Sequence, residues 1–256
     1  MNFSSVLSRI ERNNPLDFGN IFSKSIDLFK KTWGQGVLLV VATIILMIPA
    51  MIILYIPIIG AAVVGSNNPE MQAGNVSPWT MLPFFLLLIP VMLVMQTGML
   101  GLMAGYYKMV HKRDMDMETP TGDMFVFLKG VYLKKLFTLS FFSIGIALLA
   151  TLLCYFPVIY VSVPLAFVSV VFAFNPELSP KEIIKLCFKL GNKKWLISFG
   201  LIFISGFLAQ LVGMLLCGIG IFFTASFAYL PVYQVYKETV GFEDEDEIGQ
   251  IGISEV

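Results

Sequence analysis

The sequence predicts an all-α integral membrane bundle of about six transmembrane helices in three hairpins, each preceded by an amphipathic helix on the cytoplasmic side. Three observations predict it: an excess of apolar residues, uncharged runs long enough to cross a bilayer, and the gathering of every basic residue on one side of those runs. Of the 256 residues, 57% are hydrophobic and 13% charged, against roughly 45–50% and about 25% in an ordinary soluble domain. A soluble fold has no interior large enough for that much apolar surface, so the solvent for most of the chain is lipid.

Crossing roughly 30 Å of hydrocarbon takes about 20 residues at about 1.5 Å per residue. Uncharged stretches run over 32–69, 71–107, 136–175 and 195–236. The first ends in the turn signals of Gly65 to Pro69 and the second opens after Ser77 and Pro78, which gives one span each. The third and fourth would reach about 60 Å as single helices, twice the membrane thickness, so each folds back on itself. The break points are Cys154, Tyr155, Phe156 and Pro157 in one, and Cys217, Gly218, Ile219 and Gly220 in the other.

The basic residues orient these spans. Arg9, Arg12, Lys24, Lys30 and Lys31 precede the first; Lys108, Lys112, Arg113, Lys129, Lys134 and Lys135 follow the second. Lys181, Lys185, Lys189, Lys193 and Lys194 follow the fourth, and Lys237 follows the last, which accounts for all 17 Lys and Arg. Short loops rich in Lys and Arg stay in the cytoplasm, so both termini are expected there. No cleavable signal peptide is read, and the first span serves as an uncleaved anchor. The chain divides into a cytoplasmic amphipathic segment (1–35), a transmembrane domain (36–236) and an acidic cytoplasmic tail (237–256).

Each hairpin is introduced by a similar segment: FGNIFSKSIDLFKKTW, TGDMFVFLKGVYLKKLF and SPKEIIKLCFKLGNKKW. In the third, Ser179 and Glu182 have capping-box spacing with Pro180 at the first helical position. Lys181, Lys185, Lys189 and Lys193 then form a basic row opposite Ile183, Ile184, Cys187 and Phe188. In the first, Phe18, Phe22, Ile26, Phe29 and Trp33 step by three or four along an apolar face. Together with Lys30, Lys31, Lys134 and Lys135, the lysine row reads as facing lipid headgroups, or as bracing the bundle from one side; the two are compatible.

The segments CYFPVIYVSVPLAFVSVVF, SPKEIIKLCFKLGNKKW and LLCGIGIFFTASFAYLPVYQVYKETVG, in that order, resemble the DUF975 and YciC-like families of bacterial six-helix membrane proteins and the membrane domain attached to some glycerophosphodiester phosphodiesterases. The resemblance spans residues 18 to 241 and implies the architecture. The chain has no phosphodiesterase domain, so that activity is not implied. A Phe/Ile/Lys-rich composition suits a bacterium, and hence a bacterial inner membrane.

Chemistry-bearing patterns are sparse. Cys154, Cys187 and Cys217 make no CxxC pair and the single histidine is His111, so neither a metal nor another cofactor is expected. The spans suggest no carboxylate pair and no nucleophile with its base, so neither catalysis nor a nucleic-acid partner is expected. Gln96 and Gln210 are the candidates for lining a cavity, while Thr97, Ser140, Ser143, Ser198, Ser205, Thr224 and Ser226 read as helix-packing hydrogen bonds. Gly98, Gly101 and Gly105, and Ala209 with Gly213, have the spacing of closely approaching helices. Prolines 49, 57, 83, 90, 164 and 231 fall in or near spans, where they shape packing or enclose a cavity. Cys154 and Cys217 stand at matching outer turns, either as a disulfide or as two small apolar residues.

In the tail, Glu243, Asp244, Glu245, Asp246 and Glu247 precede Ile248 and Ile251. This is a solvated end or a motif in which acids steer a basic partner and isoleucines dock. Two functions suit these features: a non-enzymatic accessory or organising subunit of a membrane assembly, with lipids and a membrane or cytoplasmic protein as partners; or a lipid or small-molecule transporter with proline-kinked walls.

Overall fold

The computed structural model describes residues 1–12, 14–67, 78–153 and 155–242. Those residues form helices joined by short turns and loops, with no strand among them. Five stretches are long and apolar enough to cross a membrane: Phe18–Tyr55, Leu86–Asp114, Gly130–Leu152, Phe156–Phe174 and Trp195–Leu215. The helices are α1 (Phe3–Glu11), α2 (Phe18–Asn67), α3 (Pro78–Asp114), α4 (Gly130–Leu152), α5 (Tyr155–Ala166), α6 (Val168–Phe174), α7 (Pro180–Lys193), α8 (Trp195–Leu215), α9 (Ile221–Thr224) and α10 (Leu230–Thr239). Stretches of 3₁₀ helix occupy Thr121–Leu128 and Ala225–Tyr229.

The introducing segments differ from the sequence expectation. Only the third forms a helix of its own, α7, begun by a complete capping box in which Ser179 and Glu182 bond each other's backbone. The first is continuous with the first span, so α2 runs unbroken for 50 residues across the expected boundary at residue 35. The second is divided between the 3₁₀ stretch and the start of α4. The expected sixth span is also broken: α9, 3₁₀ and α10 follow one another from Ile221 to Thr239. Pro231 sits in the first turn of α10, where its missing N–H is tolerated, so the helix restarts there.

The buried face of α2 is not the aromatic one. Ile21, Ser25, Leu28, Thr32, Leu39 and Ala42 are buried, while Ile26 and Trp33 are exposed. Ser25 and Thr32 return their hydroxyls to the carbonyls of Ile21 and Leu28 at 2.8 and 2.9 Å, so neither brings an unsatisfied polar atom inside. The aromatic face is instead flanked by the broken sixth segment, with Phe22 and Phe29 edge-on to Phe227 at 5.8 and 5.5 Å.

At the centre lies α3, packed on α2, on the first 3₁₀ stretch, on α4 and on α6. Every residue from Leu100 to Tyr107 is buried, as is every residue from Leu230 to Tyr236 in α10. Small residues admit these contacts. A Cβ on Gly105 would lie 2.0 Å from the Met124 carbonyl oxygen, one on Gly101 would meet Leu128, and one on Gly98 would meet Leu46. A Cβ on Gly213 would meet the Ile221 backbone at 2.9 Å. Ala209 gives its carbonyl oxygen to the Thr224 hydroxyl at 2.7 Å. The hydroxyls of Ser140, Ser143, Ser198 and Ser205 are buried without a hydrogen-bond partner among the described residues.

Gly105→Ala forces the 3₁₀ backbone away from α3 and should cost about 1–3 kcal/mol. Gly145→Ala, with nothing within 4 Å of the new Cβ, should be neutral or slightly stabilising. Thermal unfolding of both variants in detergent checks the pair, and equal melting temperatures would contradict the packing.

Candidate functional site at the lysine-bearing end

Much of the chain's basic charge is spent on internal ties. On α3, His111 and Asp114 lie one turn apart; on α10, so do Tyr233 and Lys237. The Tyr233 hydroxyl donates to Asp114 Oδ2 at 2.9 Å, and Lys237 Nζ donates to the same oxygen at 2.8 Å. Nδ1 of His111 lies 3.0 Å from the Tyr233 oxygen. With the single phenolic proton committed to Asp114, Nδ1 meets that oxygen as a donor. Phe242 closes the cluster, its ring 4.0 Å from that of His111 and 4.4 Å from that of Phe174. Nearby, the Asn175 amide donates to the Tyr236 hydroxyl at 2.8 Å.

Around this centre, ion pairs of 2.8 Å join Lys24 to Glu238, Lys31 to Asp116 and Lys112 to Asp123. The hydrogen bond and charge of Lys31 hold the Asp116 carboxyl below the usual carboxylate range. Arg9 caps the chain at Val240 by donating to its carbonyl at 2.8 Å.

The residues expected to face headgroups divide into two sets. Lys30 pairs with Asp27 at 2.8 Å, Lys135 donates to the Pro176 carbonyl, Lys185 lies 5.3 Å over the Phe3 ring and Lys193 donates to the Glu11 carbonyl at 2.8 Å. Half of the α7 row thus holds α1 in place. Lys134, Lys181 and Lys189 are exposed and free of hydrogen bonds or ion pairs to other described side chains. Lys194, buried beside them, donates to the Asn14 carbonyl at 2.6 Å, and burial followed by the charge of Lys193 lowers its pKa.

Gln96 and Gln210 both face outward, so neither lines a cavity within the bundle. Cys217 is exposed in a left-handed conformation (φ 58°) at the turn after α8, where the Gly218 N–H bonds back to the Gly213 carbonyl. Cys154 lies outside the described residues, and so do Glu243, Asp244, Glu245, Asp246, Glu247, Ile248 and Ile251 of the tail.

Sequence reasoning did not pick out the cluster of His111, Asp114, Tyr233 and Lys237. The available signal was one acid directly after a basic run, together with the only histidine, on the same helical face. Its partners are over a hundred residues away. No family model, curated protein or solved structure matches the chain.

Tyr233→Phe strips the hydroxyl that serves both His111 and Asp114 and should lower stability by about 1–3 kcal/mol, because buried polar atoms lose their partner. An unchanged melting temperature would show that the cluster does not tie α3 to α10. Hydrogen bonds from the Ser179 hydroxyl and then its N–H depress the Glu182 pKa. The folded-state value lies below the unfolded one, so the cap's contribution is full above the ordinary glutamate pKa and fades as pH falls through the depressed value. Melting temperature followed down through that acid range should drop less steeply in Glu182→Gln than in the wild type.

Proposed function

We propose that this chain is a non-enzymatic, multi-pass protein of a bacterial inner membrane, serving as an accessory or organising subunit of a membrane protein assembly. Both termini are cytoplasmic and the lysine-bearing end faces the cytoplasm. Six spans are accommodated, because five residues at the longer 3₁₀ rise bring Ile221–Thr239 to roughly 30 Å, about the hydrocarbon thickness.

One observation carries the organising role. The buried stripe of α2 ends at Ala42 and that of α3 begins at Thr97. Between Ile44 and Ile59 on α2, and between Leu82 and Val94 on α3, most of the described side chains are exposed; Ile45 is 61% and Ile89 65% exposed. Helices of 50 and 37 residues measure roughly 75 and 55 Å, against roughly 32 Å for the 21 residues of α8. The α2–α3 pair therefore outreaches the remaining bundle, and its extra apolar length is what this reading assigns to another membrane protein. The transporter reading is less well supported, since the apolar hollows beside α2, one on its outer face from Ile44 to Ile59 and one against α8 and Phe227, are open grooves.

Photo-crosslinking in native membranes tests this reading, with the probe placed at Ile48 or Ile89 and, as a control, at Phe203. The two hairpin positions should yield one and the same protein adduct that the control lacks; lipid adducts alone would overturn the organising role. In Cys154→Ser cells, an impermeant maleimide should label Cys217 without lysis, and labelling only after lysis would reverse the orientation.

A further inference from the structure

We propose that a cavity at the lysine-bearing end, walled by Lys108, His111 and Lys112 of α3 and floored by Phe174 and Phe242, is a binding site for a phosphoryl group. Its volume is about 250 Å³, below the roughly 300–1,000 Å³ of pockets that enclose drug-sized molecules and suited to a headgroup-sized anion. Positions 108, 111 and 112 share one face of α3, so two lysine side chains and an imidazole border the cavity from the same helix. Among the described residues, no carboxylate lines the cavity; Asp123, which pairs with Lys112, stands outside the lining.

Lys108 is the distinctive residue. It is half-buried, it has no carboxylate partner among the described residues, and its ammonium lies 5.3 Å over the ring of Phe127. A ring face compensates only part of the lost hydration of an ammonium, which leaves room for a strong acceptor. A phosphoryl group offers several oxygens around one centre and accepts from Lys108 and Lys112 together; lysine binds such groups as a point charge. The cavity sits at the lysine-bearing ends of Leu86–Asp114 and Phe156–Phe174, the level at which lipid phosphates lie if those stretches span a bilayer. The source is therefore a lipid headgroup or a free phosphate of the same chemistry. The site uses none of the exposed lysines of α7, and it does not depend on the organising role.

The full-length protein, delipidated in mild detergent, is titrated with phosphatidylglycerol, with diacylglycerol and with inorganic phosphate under native mass spectrometry. Wild type, Lys189→Gln and the charge-keeping Lys108→Arg should retain phosphoryl adducts. Lys108→Gln should bind about tenfold more weakly, the loss expected for one charge-assisted hydrogen bond. Adducts with phosphatidylglycerol assign the site to a lipid, and adducts with inorganic phosphate to a soluble anion. Equal binding by Lys108→Gln, or equal binding of diacylglycerol, would overturn the proposal. So would adducts that appear only after deletion of Glu243–Val256, because the cavity would then belong to the acidic tail.

Discussion

Two stretches of helix in this protein have no outward side, Leu100–Tyr107 and Leu230–Tyr236, and the placement of everything else follows from their burial. A helix buried all round cannot be positioned by an amphipathic pattern, so its contacts must come from shape and from polar tips. Tyr107, Tyr233 and Tyr236 fill the volume with aromatic rings, and each hydroxyl finds a partner: the Tyr229 carbonyl, Asp114 and the Asn175 amide. Each of these spares a buried hydroxyl the cost of an unmade hydrogen bond, about 1–3 kcal/mol. The glycines of α3 supply the shape, since only their lack of a Cβ lets the Met124 backbone approach at Gly105.

Magnitudes rank the remaining interactions. The pairs Lys30–Asp27 and Lys31–Asp116 are largely exposed, and pairs of that kind contribute about 0–1 kcal/mol each. They trim the lysine-bearing end without determining it. The Asp114 cluster is more sheltered, with the carboxyl side chain 19% exposed, and losing one of its members costs more because the others remain buried. Order therefore concentrates where aromatic burial and sheltered polar groups coincide. Burial falls off along α2 beyond Ala42 and along α3 before Thr97, where most of the described apolar side chains face outward.

How much could be read from the sequence follows the same physics. Apolar runs were legible because hydropathy alone carries them, and the capping box of α7 because its signal is confined to Ser179, Pro180 and Glu182. The buried face of α2 was not. In a water-soluble helix the aromatic row of Phe18, Phe22, Ile26, Phe29 and Trp33 would face inward, but lipid is as apolar as a core, so the inward face goes to residues that pack closely. Ser25 and Thr32 hold that face instead. The uses of the lysines were hidden for another reason: Lys24 meets Glu238 across 214 residues of sequence, and no local spacing announces such a partner.

The broken sixth segment shows how these constraints combine. A segment that changes from α to 3₁₀ and back loses regular backbone hydrogen bonds, a loss tolerated in a protein interior only where the surrounding structure takes up the freed groups. Here the break lies against α2 and α8: Ser226 occupies the space beside Gly36 that a Cβ would need, and Ile221 does the same beside Gly213. Thr224, at the junction, gives its hydroxyl to carbonyls on both sides of the turn, Ala209 at 2.7 Å and Gly220 at 3.1 Å. Pro231 then fixes where the α-helix resumes, and the resumed helix carries Tyr233 and Lys237 to Asp114. A regular helix from Ile221 would turn those side chains through a different angle, because 3₁₀ and α-helix differ in both residues per turn and rise. The irregular stretch is thus what sets the register of the polar cluster, and the small residues of α2 and α8 are what make room for it.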